Sequence, residues 1–341
     1  MARDGHQVTV FCREGESTLA GVRVRRIPQG PEGGALLLSE LPHYQTVFVH
    51  NVLTMPFAPA WTEALWQLAS AHPRTRWVSW IHDLAATNPH YEIPKSSLLR
   101  QSSPHFLPIA ISAHRAQEFQ ELTGTPCQVI PNGIDPEALL ELTPAVAKFT
   151  DRYQLFQRSI VLLQPARLLP RKNVGFSLEV AHALKNSGKS CALLVTGAPD
   201  AQNAASLQYA TRLLELRDQM ALQDTAFFLN DLFPVGAKDL AALYRLSDAV
   251  LFPSLQEGFG LPLLEAALHR IPLICPNTPP LGTLIPEGGL RYPPESTAAD
   301  LACSLVALLE QKPQNQARKS VLQNYCWDIL YQTALSPLLE P

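Results

Sequence analysis

The sequence predicts two α/β domains, each a parallel sheet with helices on both faces. Three observations carry this. Short apolar runs alternate with helical stretches through both halves of the chain, and parallel strands need such crossover helices between them. The 341 residues exceed the usual size of one core and suit two. The 46% hydrophobic and 17% charged fractions are those of a globular protein with sizeable cores.

In the first half, residues 7–12, 46–50, 77–82, 106–112 and 127–131 read as buried strands. Residues 61–71 and 113–123 have helical periodicity, with Ser112 placed to cap the second and Gly124 to stop it. In the second half, strands are expected at 159–166, 191–197, 226–230, 249–253 and 272–275. Helices are expected there at 174–186, 204–221, 238–247, 262–270 and 297–310. The stretch 135–158 has no strand pattern and reads as the connector. The domains are therefore expected at 1–150 and 151–320, followed by a terminal segment 321–341 bearing Tyr325, Trp327, Ile329, Leu330 and Leu335. That segment reads as a helix capping the second domain.

Composition excludes several functions. A net charge of −3 leaves no basic footprint for nucleic acid. No apolar run is long enough to span a bilayer, and the first residues, MARDGHQ, are unlike a signal peptide. The six cysteines form no C-x-x-C pair, and Cys191 and Cys275 sit inside apolar strand patterns. A reducing, cytoplasmic setting is expected. The ten histidines are dispersed, and no metal-ligand cluster stands out.

The most informative segment is Ser254-Leu255-Gln256-Glu257-Gly258-Phe259-Gly260-Leu261-Pro262-Leu263-Leu264-Glu265. It follows a buried-strand pattern and runs into a short apolar helix. Glycines let backbone N–H groups approach a ligand, and a helix N-terminus suits an anion such as a diphosphate. Pro262 fits the first helical turn, where its missing N–H costs nothing. Glu257 and Glu265 flank the turn and are placed to hold two hydroxyl-bearing parts of one ligand. The alternative is an ordinary strand–turn–helix with two solvated glutamates.

The string EGFGLPLLEA after FPS resembles the E-x7-E segment of retaining glycosyltransferases of family 4, the glycosyl transferases group 1. The resemblance runs along nearly the whole chain and is specific in the second domain. It implies the GT-B fold: two Rossmann-like, doubly wound parallel-sheet domains facing a cleft. In that family a first strand and a Gly-rich loop precede the counterpart of MARDGHQVTVFC. The first domain is therefore expected to lack its N-terminal strand, through truncation or a start codon upstream. A helix like 321–341 crosses back onto the first domain in the family.

The resemblance also assigns positions. Arg167 and Lys172, in Arg167-Leu168-Leu169-Pro170-Arg171-Lys172-Asn173, match its two cations on the donor diphosphate. Arg offers a planar fork and Lys a point charge for phosphate; the alternative is a solvated basic turn. Pro165-Ala166 stands where a glycine is common. His82, in Trp80-Ile81-His82-Asp83-Leu84, matches a histidine facing the donor sugar, and its alternative is a histidine satisfied by a neighbouring loop. Asp83 is expected to orient that loop. Gly197, in Thr196-Gly197-Ala198-Pro199-Asp200, matches a donor-side turn, and Asn230 lies where the nucleobase is contacted. Val129-Ile130-Pro131-Asn132-Gly133-Ile134-Asp135 is expected to be structural. The polar and aromatic stretch 87–100 is a candidate acceptor wall.

The implied reaction moves a hexose from a nucleotide-diphosphate sugar to an acceptor hydroxyl, a glycan, lipid-linked sugar or small molecule, with the configuration kept. Glu257 would hold sugar hydroxyls, and Gly258, Phe259, Gly260 and Leu261 the sugar and phosphate. Glu265 would hold the ribose. No cofactor and no metal are expected, because Arg167, Lys172 and the helix start neutralise the leaving diphosphate. A second reading is a non-catalytic nucleotide-sugar-binding protein. A dinucleotide-dependent oxidoreductase is disfavoured, since no G-x-G-x-x-G joins a strand to a helix.

Overall fold

The computed structural model describes residues 1–17, 19–199, 202–284 and 289–339. It divides into one unit of Met1–Ile134 with Trp327–Pro341, and a second of Asp135–Cys326. The division falls earlier than residue 150. The expected connector holds helices Pro136–Leu139 and Pro144–Arg152, and Val146 and Phe149 of the latter are buried in the core of the second unit.

Among the described residues the first unit has six strands: β1 (Val8–Cys12), β2 (Val22–Arg26), β3 (Thr46–His50), β4 (Arg76–Ile81), β5 (Phe106–Ala110) and β6 (Gln128–Val129). The last four form one parallel sheet in that order, and β1 pairs with β2 as a separate parallel ribbon. Among the described residues no strand joins the ribbon to the sheet. The sequence pattern missed β2, because Val22 and Val24 alternate with exposed Arg23 and Arg25 and are only half-buried. It also missed helix Pro31–Glu40, which packs on helix Pro59–Ala71. Helix Ala113–Thr123 matches expectation at both ends. Ser112 Oγ accepts from Arg115 N at 3.2 Å, and Gly124 closes it at φ 73°.

The end of the chain belongs to this unit. The Trp327 N–H donates to the Ile134 carbonyl at 3.1 Å, and Arg76 donates to the Leu338 carbonyl at 2.7 Å. Leu335 is buried with Val78, Trp80, Ile109 and Ile130. Helix Pro313–Asn324 belongs to the second unit, so a single capping helix over 321–338 is replaced by two pieces with different partners.

The second unit has strands β7 (Ile160–Gln164), β8 (Cys191–Val195), β9 (Ala226–Phe228), β10 (Ala249–Leu251), β11 (Leu273–Pro276) and β12 (Leu290–Tyr292). All pair in parallel, in the order β12-β11-β10-β7-β8-β9. The chain thus moves outward from β7 to β9, returns, and continues from β10 on the other side. That is the doubly wound order of a Rossmann-like sheet, with its switch point between β7 and β10. Side chains alternate between faces with period two. Ile160, Leu162, Leu193, Val195 and Leu251 pack with helices Val174–Asn186 and Ala298–Glu310. Val161, Leu163, Leu194, Val250 and Phe252 pack with helices Ala237–Leu246 and Leu261–Leu268.

Candidate functional site

The C-terminal edge of the second sheet gathers most of the expected residues. In doubly wound sheets, ligands bind beyond the carboxyl ends of the strands at the switch point. Arg167 and Lys172 follow β7, and Glu257 follows β10, the two strands flanking that point. Gly197 follows β8 and Asn230 follows β9.

Local bonds knit these loops together. The Leu255 N–H donates to the Arg171 carbonyl at 2.8 Å, and Gln164 Nε2 donates to the Lys172 carbonyl at 2.9 Å. Lys172 Nζ is ion-paired with Glu257 Oε1, both side chains being nearly buried. The same ammonium lies 4.9 Å from the centre of the Phe252 ring. Arg171 approaches the other Glu257 oxygen at 3.5 Å and donates to the Gln256 carbonyl at 3.1 Å. Arg167 is exposed, and its guanidinium has no hydrogen bond or ion pair among the described residues. Two buried polar atoms beside the switch point, Gln164 Oε1 and Ser254 Oγ, have no partner among the described residues. Such orphans mark places where a ligand or water binds.

Gly197 is needed for packing. A Cβ there would lie 1.9 Å from the Ala166 carbonyl oxygen and 2.3 Å from the Arg167 Cα. The turn after β8 therefore supports the loop that carries Arg167 directly on its backbone. Asn230 Nδ2 donates to the Thr196 carbonyl, tying β9 to β8. Asp200, the end of that expected turn, lies outside the described residues.

The helix after β10 runs from Leu261 to Leu268, with Pro262 in its first turn. Gly260 precedes it at φ 107°, a left-handed conformation that side chains rarely adopt. The N–H groups of Gly258, Phe259, Gly260 and Leu261 have no acceptor among the described residues. This is a run of free donors at the positive end of a helix dipole. Glu265, one turn in, accepts from the Tyr244 hydroxyl at 2.6 Å. Burial, and then the bond to Glu265, hold the Tyr244 hydroxyl well above the ordinary phenol range, so it stays a donor.

His82 belongs to the first unit, at the C-terminal end of β4. Asn51, after β3, fixes its backbone: Oδ1 accepts from the N–H groups of His82 at 3.0 Å and Asp83 at 2.9 Å. Asn51 itself sits at φ 61°, a region where asparagine is tolerated. Asn132 Nδ2 lies 3.5 Å from His82 Nδ1. His50 packs 5.8 Å from the His82 ring and stacks on Trp80. Burial lowers the pKa of His82, against the opposing charge of Asp83. His50 is lowered too, by burial first and then by His82. Asp83 pairs with Arg115 at 3.2 Å, consistent with orienting its loop. In the 87–100 segment, Arg100 staples the chain by donating to the Ile93 and Ala86 carbonyls.

Four contributors escaped sequence reasoning: Arg171, Asn51, His50 and Tyr244. Arg171 had a signal, since it stands beside Lys172 in the same turn. The other three act across the fold, at separations no local motif spans. Among the described residues no group of three or more His, Cys, Asp or Glu side chains is placed to hold a metal ion.

Comparison with known proteins covers both units. The family profile described as "Glycosyl transferases group 1" matches residues 147–322, and that described as "Glycosyltransferase Family 4" matches residues 1–138. The D-inositol 3-phosphate glycosyltransferase of Nocardia farcinica is 26% identical over 91% of this chain and 74% of its own length. That of Salinispora arenicola is 28% identical over 75% of this chain and 63% of its own length. A crystal structure of Anabaena Alr3699/HepE with UDP and glucose is 16% identical, covers 98% of this chain and 100% of its own, and has a TM-score of 0.42.

Proposed function

Because this chain belongs to the glycosyl transferases group 1, with the Rossmann-like units of the GT-B fold, we propose that it is a retaining hexosyltransferase. It moves a hexose from a nucleotide-diphosphate sugar to an acceptor hydroxyl, and needs no metal. The observation that carries this reading is the edge between β7 and β10. There Arg167, the Lys172–Glu257 pair and the free N–H groups of 258–261 stand beyond one switch point.

The chemistry follows from the charges. The donor's diphosphate is an anion that gains charge as it leaves. Arg167, Lys172 and the start of the helix receive it, and preorganised donors of this kind are each worth roughly 2–4 kcal/mol in the transition state. The bond from the anomeric carbon to the phosphate oxygen breaks, and a bond to the acceptor oxygen forms on the same face. The acceptor's proton passes to the leaving phosphate. Glu257, held from two sides by Lys172 and Arg171, accepts hydrogen bonds from the sugar hydroxyls. It is not half of a glycosidase acid–nucleophile pair, which needs two carboxylates across one scissile bond. Glu265 holds the ribose, Asn230 and Gly197 shape the base side, and His82 donates to the transferred sugar.

The acceptor is a hydroxyl-bearing glycan, lipid-linked sugar or small polar molecule. The setting is the reducing cytoplasm, the compartment that scattered cysteines with no C-x-x-C pair suggest. Among the described residues no helix is long and apolar enough to cross a membrane.

The test is a Glu257→Ala variant assayed for sugar transfer, beside its melting temperature with UDP, GDP and ADP. Transfer is lost while the fold and nucleotide binding persist. Near-normal turnover in that variant removes Glu257 from the site. A wild-type chain that binds nucleotide sugar and transfers nothing is instead a binding protein.

A further inference from the structure

The geometry points to Tyr244, backed by His269, as the residue that positions Glu265 for the ribose of the donor. This inference rests on the proposed role of Glu265. Three observations support it. The Tyr244 hydroxyl donates to Glu265 Oε2 at 2.6 Å, from a side chain only 2% exposed. The His269 ring stacks on the Tyr244 ring at 5.0 Å and 5° between planes, which restrains the plane of the ring that carries that hydroxyl. Finally, Glu265 Oε1 has no partner among the described residues, so one oxygen is anchored and the other is left for a ligand.

The physical reason concerns entropy. A free glutamate has three rotatable bonds, and freezing them costs up to about 2 kcal/mol. A carboxylate already held in one rotamer has made that sacrifice on folding, so the bound state is preorganised. A carboxylate has roughly four lone-pair sites, so accepting from Tyr244 still leaves room for the two hydroxyls of a ribose diol. His269 lies one turn beyond Glu265 on the same helix, and its N–H donates to the Glu265 carbonyl at 3.1 Å. Tyr244 comes from helix Ala237–Leu246, packed on the same face of the sheet. The carboxylate is thus aimed by two helices, which hold a side chain more firmly than a loop does.

The experiment uses the full chain and whichever of UDP, GDP and ADP it binds, with the 2′,3′-dideoxy analogue of that nucleotide. Dissociation constants for both are measured by calorimetry in the wild type and in Glu265→Ala, Tyr244→Phe and His269→Ala. Glu265→Ala brings the ratio of the two constants close to one. Tyr244→Phe frees the Glu265 carboxylate to rotate, so the ribonucleotide binds more weakly by up to roughly 30-fold. The dideoxy analogue binds unchanged. His269→Ala shifts the ratio the same way by a smaller factor, and it decides the matter if Tyr244→Phe does not fold. If the ratio collapses in Glu265→Ala but stays at the wild-type value in the other variants, Tyr244 is not a positioning residue. Equal weakening of both ligands in Tyr244→Phe also overturns the inference, since that is the mark of a merely structural tyrosine. A ratio unmoved by Glu265→Ala overturns the ribose assignment itself.

Discussion

Replacing Gly197 by alanine tests whether the donor edge is held by backbone packing. The added Cβ would sit 1.9 Å from the Ala166 carbonyl oxygen and 2.3 Å from the Arg167 Cα. Both are backbone atoms, so no side chain can rotate away. Ordinary contact begins near 3.4 Å, so the 165–168 loop must retreat by roughly 1.5 Å. Overpacking of this kind costs about 1–3 kcal/mol. For a domain of this size, at roughly 2–4 °C per kcal/mol, that lowers the melting temperature by roughly 2–12 °C. The displaced loop also carries Arg167, and a misplacement of about 1 Å can cost on the order of 100-fold in rate. The assay is thermal melting beside calorimetric titration of UDP, GDP and ADP. A Gly175→Ala variant is the control: its Cβ meets nothing nearer than 3.7 Å and it lies in a helix, so it is expected to be neutral or slightly stabilising. A Gly197→Ala protein that melts with the wild type and binds nucleotide with unchanged affinity would refute the reasoning.

Two further outcomes are expected. Lys319 pairs with the buried Asp248 at 2.6 Å, and Asp248 also accepts the Val161 N–H at 2.7 Å. Lys319→Met leaves that carboxylate with the Arg318 charge as its remaining cationic neighbour and is expected to cost up to about 3–5 kcal/mol, read as a fall in melting temperature, with partial recovery in the double variant Lys319→Met, Asp248→Asn. Burial lowers the pKa of both His50 and His82. Between the lowered value and the unfolded value near 6.5, the unfolded chain binds more protons than the native one. Stability is therefore complete above that value and falls on acidification below it, until the lowered value is passed. Denaturant unfolding across this range shows a smaller loss in His50→Gln, and an equal loss would remove His50 from the linkage.

Much of the fold was legible because its signals are local. Helix Val174–Asn186 and strand β3 occur at their expected bounds, since burial on a single face imposes a period that the sequence displays. The other expected strands occur within a few residues of theirs, for the predominantly apolar runs of β7, β8 and β10 leave no competing reading. What was lost was lost for identifiable reasons. In β2 arginine alternates with valine, which reads as surface. Helix Pro144–Arg152 reads as connector in the sequence, because its apolar positions acquire meaning only against Phe227 and the rest of the second core.

The site divides along the same line. Sequence alone determined which residues stand at the ends of β7 and β10, because motif and strand are contiguous there. Tertiary structure decided which of them touch: Lys172 and Arg171 on Glu257, Tyr244 on Glu265, Asn51 under His82, and Ala166 on Gly197. Those contacts join residues that the chain keeps far apart. They depend on strand order and helix packing, which are properties of the whole core and leave no mark on any short stretch of sequence.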